Sequence, residues 1–384
     1  MKNNFYKLYF VLFIFFVCSH ANSAEQFNFN ITEIEILDNG NKLKGTKRGE
    51  ISSNNGIIIN ADEFVYDKKL NTLDATGNVV MKDNVNNFLI YTNRIQYFKN
   101  KNLILTEGNS KATNLEDKST IDAVNFEYDV TKNKLSATGN VVFKDQINDH
   151  VLLSRKIIYF KNEEKFITNG KTKALINSEY DFNSEDVIFY RNRNFLSSKK
   201  NTTILDNSSN FYNLSNFTYS INKKELKGED ILVTSNYNLP KSDKFFFSSA
   251  IINLEKNNFL AKDTRIEIHK NIFSNEENDP RLMGVSSKSD GNKTVINKGI
   301  FTSCKFTNKR SPWCIKSKKI THDKINQNLI YENAILKVYD IPVLYFPKFF
   351  HPDPTVKRRT GFLQPQFNNS EILGSSLHIP YFKT

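Results

Sequence analysis

Apolar and polar residues alternate along short stretches of this chain. From Leu73 to Lys82 the odd positions are apolar or small, and the even positions are polar apart from Val80. The stretch from Leu135 to Phe143 has the same phase. A period of two places every second side chain on the same face of a β-strand. The pattern therefore predicts strands with one apolar face.

The alternating stretches recur at a fixed distance. Residues 60–83 recur as residues 122–145, and residues 94–108 recur as residues 156–170, both with an offset of 62. A glycine marks each half of this repeat, at intervals of 31 residues: Gly77, Gly108, Gly139 and Gly170. A period of this length is typical of stacked copies of one supersecondary unit.

Each half-repeat of 31 residues is predicted to be a strand, a turn and a strand. Charged and Asn-rich stretches such as 99–101 and 161–164 separate the two strands and favour exposed turns. The glycine falls in the second strand, where it favours a bend or a bulge. A two-stranded unit cannot bury its own apolar face, but stacked units can. We therefore expect residues 24–270 to form one elongated all-β domain of stacked repeats, packed as a sandwich or coiled as a solenoid.

The apolar stripe of these strands is the candidate binding surface. It could form a closed hydrophobic core, or it could stay partly open as a channel for acyl chains, and periodicity alone favours the closed core. The residues that would line a channel share the inward phase of their strands: Phe64, Tyr66, Leu73, Val79, Met81, Ile95, Tyr97, Ile104, Phe126, Tyr128, Leu135, Val141, Phe143, Ile157, Tyr159 and Phe166.

The first 23 residues are typical of an export signal. Lys2 and Lys7 flank a short basic region at the N-terminus, and Leu8 to Cys18 is an apolar run of 11 residues. Small residues follow at possible cleavage sites between residues 21 and 24. A membrane-spanning helix needs roughly 20 apolar residues. We therefore expect residues 1–23 to be a signal peptide and the mature protein to be exported.

Export leaves two cysteines, Cys304 and Cys314. In an oxidising compartment two cysteines most simply form one disulfide, and the alternatives are free thiols or a bond to another partner. The formal net charge of +12 favours a polyanionic partner such as a phosphorylated lipid or a membrane surface. Export argues against nucleic acid.

The sequence contains no evident catalytic motif. A G-x-S-x-G elbow and an H-E-x-x-H pair are both missing, and Lys165 stands where a phosphate-binding loop ending at Gly170 would need a glycine. Asp67 and Asp129 recur at equivalent turns, and turn formation explains them better than a pair of catalytic carboxylates. We therefore expect no enzymatic activity, no cofactor and no metal site.

Prolines and aromatic residues concentrate near the C-terminus. Residues 340–347 (DIPVLYFP) are followed by basic residues at 357–359, by GFLQP at 361–365 and by PYF at 380–382. Together with the ATGNV repeats and the DPRL run at 279–282, this segment resembles the family of the lipopolysaccharide-assembly protein LptD, also called organic solvent tolerance protein.

The resemblance implies a β-jellyroll whose apolar interior passes the acyl chains of lipopolysaccharide to an outer-membrane barrel with a lateral gate. The implied partners are the outer membrane, an LptE-like plug lipoprotein and an LptA-like periplasmic bridge protein that pairs with an edge strand. By motif match, Pro365 and Pro380 are the prolines of the gate, because a proline in a strand removes a ladder hydrogen bond. The alternative is that both are turn prolines at strand ends.

The resemblance also divides the chain. Residues 271–355 become a Cys-containing connector, and residues 356–384 become the first strands of the barrel domain, so we expect a fragment or a truncated copy at the outer membrane, mainly periplasmic. Family members bridge the periplasmic domain to the barrel through disulfides, so either cysteine could have its partner there. The other functions that fit the sequence are a soluble bridge protein, a structural solenoid or adhesin with a closed core, and a β-helix enzyme acting on polysaccharide.

Overall fold

The computed structural model describes residues 27–269, 278–305, 311–353, 356, 360–362, 366–370 and 374–383. Within these ranges the regular structure consists of β-strands and four short 3-10 turns, Asp38–Gly40, Lys99–Lys101, Lys161–Glu163 and Arg191–Arg193. The all-β prediction is confirmed. No helix in these ranges has the length and apolar character needed to cross a membrane. The predicted signal peptide, residues 1–23, lies outside the described residues.

The chain divides into two compact units. The first contains residues 1–147 and 158–161, and the second contains residues 148–157 and 162–384. The strands of the first unit are β1 (Phe27–Asn30), β2 (Ile34–Leu37), β3 (Lys42–Gly45), β4 (Gly49–Ser53), β5 (Ile57–Ala61), β6 (Glu63–Asp67), β7 (Thr72–Asp83), β8 (Phe88–Phe98), β9 (Leu103–Glu107), β10 (Ser110–Asn114), β11 (Thr120–Ala123), β12 (Asn125–Asp129) and β13 (Lys134–Asp145). The residues of β14 (His150–Phe160) are shared between the two units.

The second unit contains the remaining strands. They are β15 (Lys165–Ile176), β16 (Tyr180–Glu185), β17 (Ile188–Tyr190), β18 (Phe195–Ser198), β19 (Thr202–Asp206), β20 (Phe211–Ser220), β21 (Glu225–Thr234), β22 (Lys244–Asn253), β23 (Asn258–Glu267), β24 (Arg281–Ser289), β25 (Lys293–Thr302), β26 (Trp313–Asp323), β27 (Asn328–Val338), β28 (Ile341–Pro352), β29 (Gly361–Phe362), β30 (Gln366–Ser370), β31 (Gly374–His378) and β32 (Tyr381–Phe382).

The long strands of the first unit change sheet at their middle. In β7, residues 72–76 pair with β6, whereas residues 80–83 pair with β5. In β13, residues 134–138 pair with β12, whereas residues 142–144 pair with β11. Each long strand therefore contributes one half to a first sheet and the other half to a second sheet. The apolar faces of the two sheets meet, as expected for a jellyroll.

Glycine permits the change of direction. Gly77 in β7 and Gly139 in β13 have φ angles of +81° and +87°, and the asparagine after each is also left-handed. The pairing of β7 with β8 shifts register between Thr76 and Val79, as the predicted bulge requires. A Cβ atom on Gly139 would lie 2.7 Å from Val124 Cγ2, so the position excludes a side chain for steric reasons as well.

The turns of the first unit form two rows, one at the free end of each sheet. In the first row, the Lys99 N–H donates to the Asn71 carbonyl (3.1 Å) and the Val130 N–H donates to the Asn102 carbonyl (3.0 Å). In the second row, the Leu115 N–H donates to the Asn87 carbonyl (2.8 Å). Each turn thus rests on the preceding turn of its own row, which explains why the sequence period is constant.

In the second unit, β20 to β28 form an antiparallel meander in which each strand pairs with the next. Residues 281–352, for which we predicted a connector, form β24 to β28. The predicted boundary at residue 270 falls between β23 and β24, which pair with each other. Near the C-terminus β29 pairs with β32, and β30 pairs with β31. The assignment of these short strands to a barrel stays a prediction.

Candidate functional site

The predicted channel residues lie in the apolar interior of their units. All of them except the half-buried Tyr66 have at most 2% of their surface exposed. Period-two alternation therefore identified the inward face correctly. Because these side chains are packed against one another, the interior around them is closed in this structure, and their role in lipid binding stays a prediction.

Polar side chains join the two turn rows of the first unit along a line that we call the seam. The Tyr128 hydroxyl, at the end of the first sheet, donates to Asp83 Oδ2 of the second sheet (2.7 Å), and Asn86 Nδ2 donates to Tyr128 Oη (3.0 Å). One half-repeat earlier, Asn55 Nδ2 donates to Tyr97 Oη (2.8 Å). These hydrogen bonds hold the free ends of the two sheets together.

The two tyrosines therefore do more than line the interior. Burial raises the pKa of the Tyr97 hydroxyl. Burial, followed by the charge of the Asp83 carboxylate, raises the pKa of Tyr128. Both hydroxyls remain protonated at neutral pH and can serve as donors. Sequence reasoning missed this role because it read each tyrosine only by its phase in the strand, although Asp83 and its repeat equivalent Asp145 were visible in the sequence.

The second unit contains a cavity of about 510 Å³ that is lined by side chains of its meander. Its volume falls in the range of small-molecule binding sites, roughly 300–1,000 Å³. The walls are mainly apolar and come from β22 to β25: Phe245, Phe247, Phe259, Ile266, Leu282 and Ile296. This part of the interior has room for an apolar ligand.

Polar residues from the strand ends also line the cavity. His269 Nδ1 lies 2.9 Å from Asp243 Oδ1, and the His269 N–H donates to the same oxygen (3.0 Å). A second pair joins His322 Nε2 to Asp353 Oδ2, and Lys324 lies beside it in the cavity wall. The cavity therefore combines an apolar interior with charged and polar groups at its margin. Sequence reasoning missed these residues because no repeat or motif connects them.

The cysteines and prolines were the other predicted site residues. Cys304 and Cys314 are partly buried free thiols in this structure, so their disulfide stays a prediction. Burial raises the pKa of the Cys314 thiol. Pro365 lies outside the described residues. Pro380 lies between β31 and β32, at a strand end.

The described residues bring no three His, Cys, Asp or Glu side chains together in an arrangement that could hold a metal ion. The cavity margin has two separate His–Asp pairs rather than one convergent cluster. The geometry of the interior, apolar between two sheets and polar at the strand ends, is suited to an amphiphile.

Part of the chain is similar to proteins named for lipopolysaccharide assembly. No protein-family model matches the chain. The chain is similar to the LPS-assembly protein LptD of Shewanella sp. strain ANA-3, with 36% identity over 94 residues, which are 24% of this chain and 12% of that protein. It is similar to LptD of Hahella chejuensis, with 28% identity over 135 residues (35% of this chain, 16% of that protein). LptD of Francisella tularensis subsp. novicida is 34% identical over 70 residues (18% and 8%).

The matches thus cover between 8% and 16% of the length of these relatives. They indicate an LptD-like relationship over part of the chain. The relatives are named for assembly of lipopolysaccharide rather than for catalysis.

Proposed function

We propose that this chain takes part in the transport and assembly of lipopolysaccharide at the outer membrane, and that acyl chains of the lipid lie in its apolar interior. The observation that carries the proposal is the apolar cavity of about 510 Å³ in the second unit. The partial similarity to LptD proteins supports the substrate. The proposed activity is transport without covalent chemistry.

The energetic reason is the hydrophobic effect. Each CH₂ group transferred from water to an apolar site gains about 0.8 kcal/mol. The side chains of Phe247, Phe259 and Ile296 provide such a site, and the polar groups at its margin can remain in contact with the sugar and phosphate groups of the lipid. The predicted channel residues of the first unit, including Phe143, would provide an apolar site of the same kind if the seam opens.

The partners follow from the same proposal. An LptA-like bridge protein would pair with an edge strand, and β2 offers one, because among the described strands it pairs only with β3. Its side chains Ile34 and Ile36 are 43% and 69% exposed, which is unusual for isoleucine and favours a covering partner. The LptE-like plug, the barrel and its gate prolines Pro365 and Pro380 belong to the same proposal, which places the described residues mainly in the periplasm.

A structural protein with a closed core is the second candidate. The observation that favours it is the tight packing of the first unit, where Tyr97, Ile104 and Leu135 are at most 1% exposed. A closed core would leave the cavity of the second unit without a ligand.

Substitution of two neighbouring residues tests the proposal. Phe259 lines the cavity, whereas Leu260 points to the opposite face and is 57% exposed. Phe259→Gln should weaken binding of lipid A by the full chain about tenfold, and the matched control Leu260→Gln should leave it unchanged. Equal effects of the two substitutions, or no binding by the unsubstituted chain, would refute the proposal.

A further inference from the structure

A partly buried lysine lies at the seam of the first unit without a neighbouring anion. Lys99, in the first turn row, donates to Asn54 Oδ1 (2.9 Å) and to Ser53 Oγ of the second row. Its third contact is the Tyr97 hydroxyl (3.4 Å). All three partners are neutral, and Lys99 forms no ion pair with an Asp or Glu of the described chain.

Two aromatic rings separate this ammonium group from the interior. Lys99 Nζ lies 5.8 Å from the centroid of Phe27 and 5.5 Å from the centroid of Tyr97. Both rings are at most 2% exposed, so the charge sits at the boundary between the apolar interior and the seam. Burial lowers the pKa of Lys99, as expected for a cation that is partly shielded from water.

Lys161, 62 residues later and at the equivalent position of its turn, also lies over an interior ring, but it has an anionic neighbour. Lys161 Nζ lies 5.0 Å from the centroid of Phe88 and donates to the Asn86 carbonyl of the second row. Its side chain is 9% exposed, and the Glu116 carboxylate, itself 57% exposed, lies 3.5 Å away. Two consecutive repeats of the first unit thus place a lysine across the seam and over an interior ring.

We propose that Lys99 and Lys161 bind the phosphate groups of an amphiphile whose acyl chains lie between the two sheets. The inference rests on the proposed function. A phosphate would form charge-assisted hydrogen bonds that the neutral partners of Lys99 do not provide. It would also displace the contacts of Lys99 with Ser53 and Asn54, which are part of the contact between the two turn rows.

The location of the lysines favours a lipid phosphate over a free one. An anion bound at Lys99 would lie beside the Phe27 and Tyr97 rings, at the boundary of an interior that accepts only apolar groups. Inorganic phosphate gains nothing from that interior, whereas acyl chains gain about 0.8 kcal/mol per CH₂ group. The two lysines would therefore bind the phosphates of the head group, and the apolar interior would bind the acyl chains.

Binding of two lipids to the full chain tests the inference. The probes are diphosphoryl lipid A and the same lipid without its phosphates. Lys99→Met combined with Lys161→Met should weaken binding of diphosphoryl lipid A about tenfold or more and leave binding of the dephosphorylated lipid unchanged. Lys101→Met combined with Lys132→Met, which removes two exposed lysines of the same turn row, should change neither.

Arginine variants and inorganic phosphate complete the test. Lys99→Arg combined with Lys161→Arg keeps both charges and should retain binding of diphosphoryl lipid A, which separates loss of charge from loss of folding. If the methionine variant loses binding of both lipids, or keeps binding of both, this inference is wrong while the proposed function stands. Binding of inorganic phosphate as tightly as the phosphorylated lipid would overturn it too. Failure of the unsubstituted chain to bind either lipid would overturn the proposed function with it.

Discussion

The Tyr128 hydroxyl donates a hydrogen bond to Asp83 Oδ2 over 2.7 Å, and this bond joins the two sheets of the first unit. The Asp83 carboxylate is fully buried, and it also accepts the main-chain N–H groups of Val85 (3.0 Å) and Asn86 (2.9 Å). A buried carboxylate is tolerated only when hydrogen bonds replace its hydration. Asn86 Nδ2 also donates to Asp83 Oδ2 (2.8 Å), and of these four donors only the tyrosine hydroxyl comes from the opposite sheet.

Removal of that hydroxyl should destabilise the first unit. Tyr128→Phe removes one hydrogen bond to a buried carboxylate oxygen that retains the Asn86 Nδ2 donor (2.8 Å), which should cost about 1–3 kcal/mol because the acceptor is charged. The free energy of unfolding in urea, measured for the full chain, gives the value. A change smaller than about 0.5 kcal/mol would contradict a role of this bond in closing the seam.

Tyr219→Phe is the matched control. The Tyr219 hydroxyl is also buried, but it has no hydrogen-bond partner among the described residues. Its removal relieves an unsatisfied polar group, so stability should stay within about 0.5 kcal/mol or increase. Equal losses in the two variants would show that general packing of tyrosine, not the bond to Asp83, is responsible.

Replacement of glycine by alanine at the sheet-to-sheet bends should reduce stability by different amounts at Gly139 and at Gly170. Gly139 and Gly170 both have positive φ, but an added Cβ meets Val124 at 2.7 Å in the first case and no atom within 4 Å in the second. Gly170→Ala should cost about 1 kcal/mol for the left-handed alanine, and Gly139→Ala should cost about 1–3 kcal/mol more because of overpacking. Thermal and urea unfolding check the order, and a Gly170 variant that is the less stable of the two would contradict the packing argument.

His351 should make stability depend on pH. Its Nε2 lies 2.9 Å from the Tyr331 hydroxyl and its Nδ1 lies 2.7 Å from the Pro352 carbonyl. Burial lowers its pKa below the ordinary value of 6.5, although the carbonyl and Asp353 oppose the shift. Below pH 6.5 the unfolded chain binds a proton at His351 that the folded chain does not bind. The free energy of unfolding therefore decreases as the pH is lowered below 6.5, by up to about 1.4 kcal/mol per pH unit. Above this pH the contribution is constant.

The measurement compares the free energy of unfolding at about pH 7.5 and about pH 5.5 in the unsubstituted chain and in His351→Gln. Glutamine at this position has no group that binds a proton in this pH range. The decrease on acidification should be smaller in the variant. His378→Gln, which removes an exposed histidine, should behave as the unsubstituted chain does. An unchanged pH dependence in His351→Gln would rule out this source of the effect.

Much of the fold could be predicted from the sequence, because local rules repeat. Alternation placed Leu73 and Phe143 inside, and the 31-residue spacing placed Gly77 and Gly139 at the bends. The alternation and the glycine spacing are local patterns, and both recur in every repeat. The strands between residues 281 and 352 lie beyond these repeats, so periodicity does not predict them, and the connector over residues 271–355 rests on the family resemblance alone.

The margin of the cavity could not be predicted from the sequence in the same way. Asp243 and His269 are 26 residues apart, and His322 and Asp353 are 31 apart, and neither pair belongs to a motif. Their proximity depends on the register of strands between them, which single-sequence periodicity does not determine. The hydroxyl of Tyr128 was missed for a related reason, since its partner Asp83 lies across the seam and 45 residues away.

Photo-crosslinking from two adjacent phenylalanines tests the central claim, that acyl chains of the lipid lie in the apolar interior of the protein. Phe245 lines the cavity, whereas Phe246 faces the other side of β22, where its ring lies 4.0 Å from the Arg265 guanidinium carbon. With a photoreactive phenylalanine at each position in cells, Phe245 should give adducts with lipopolysaccharide and Phe246 should give none. Adducts at Phe246 alone, at both positions equally, or at neither would contradict the account.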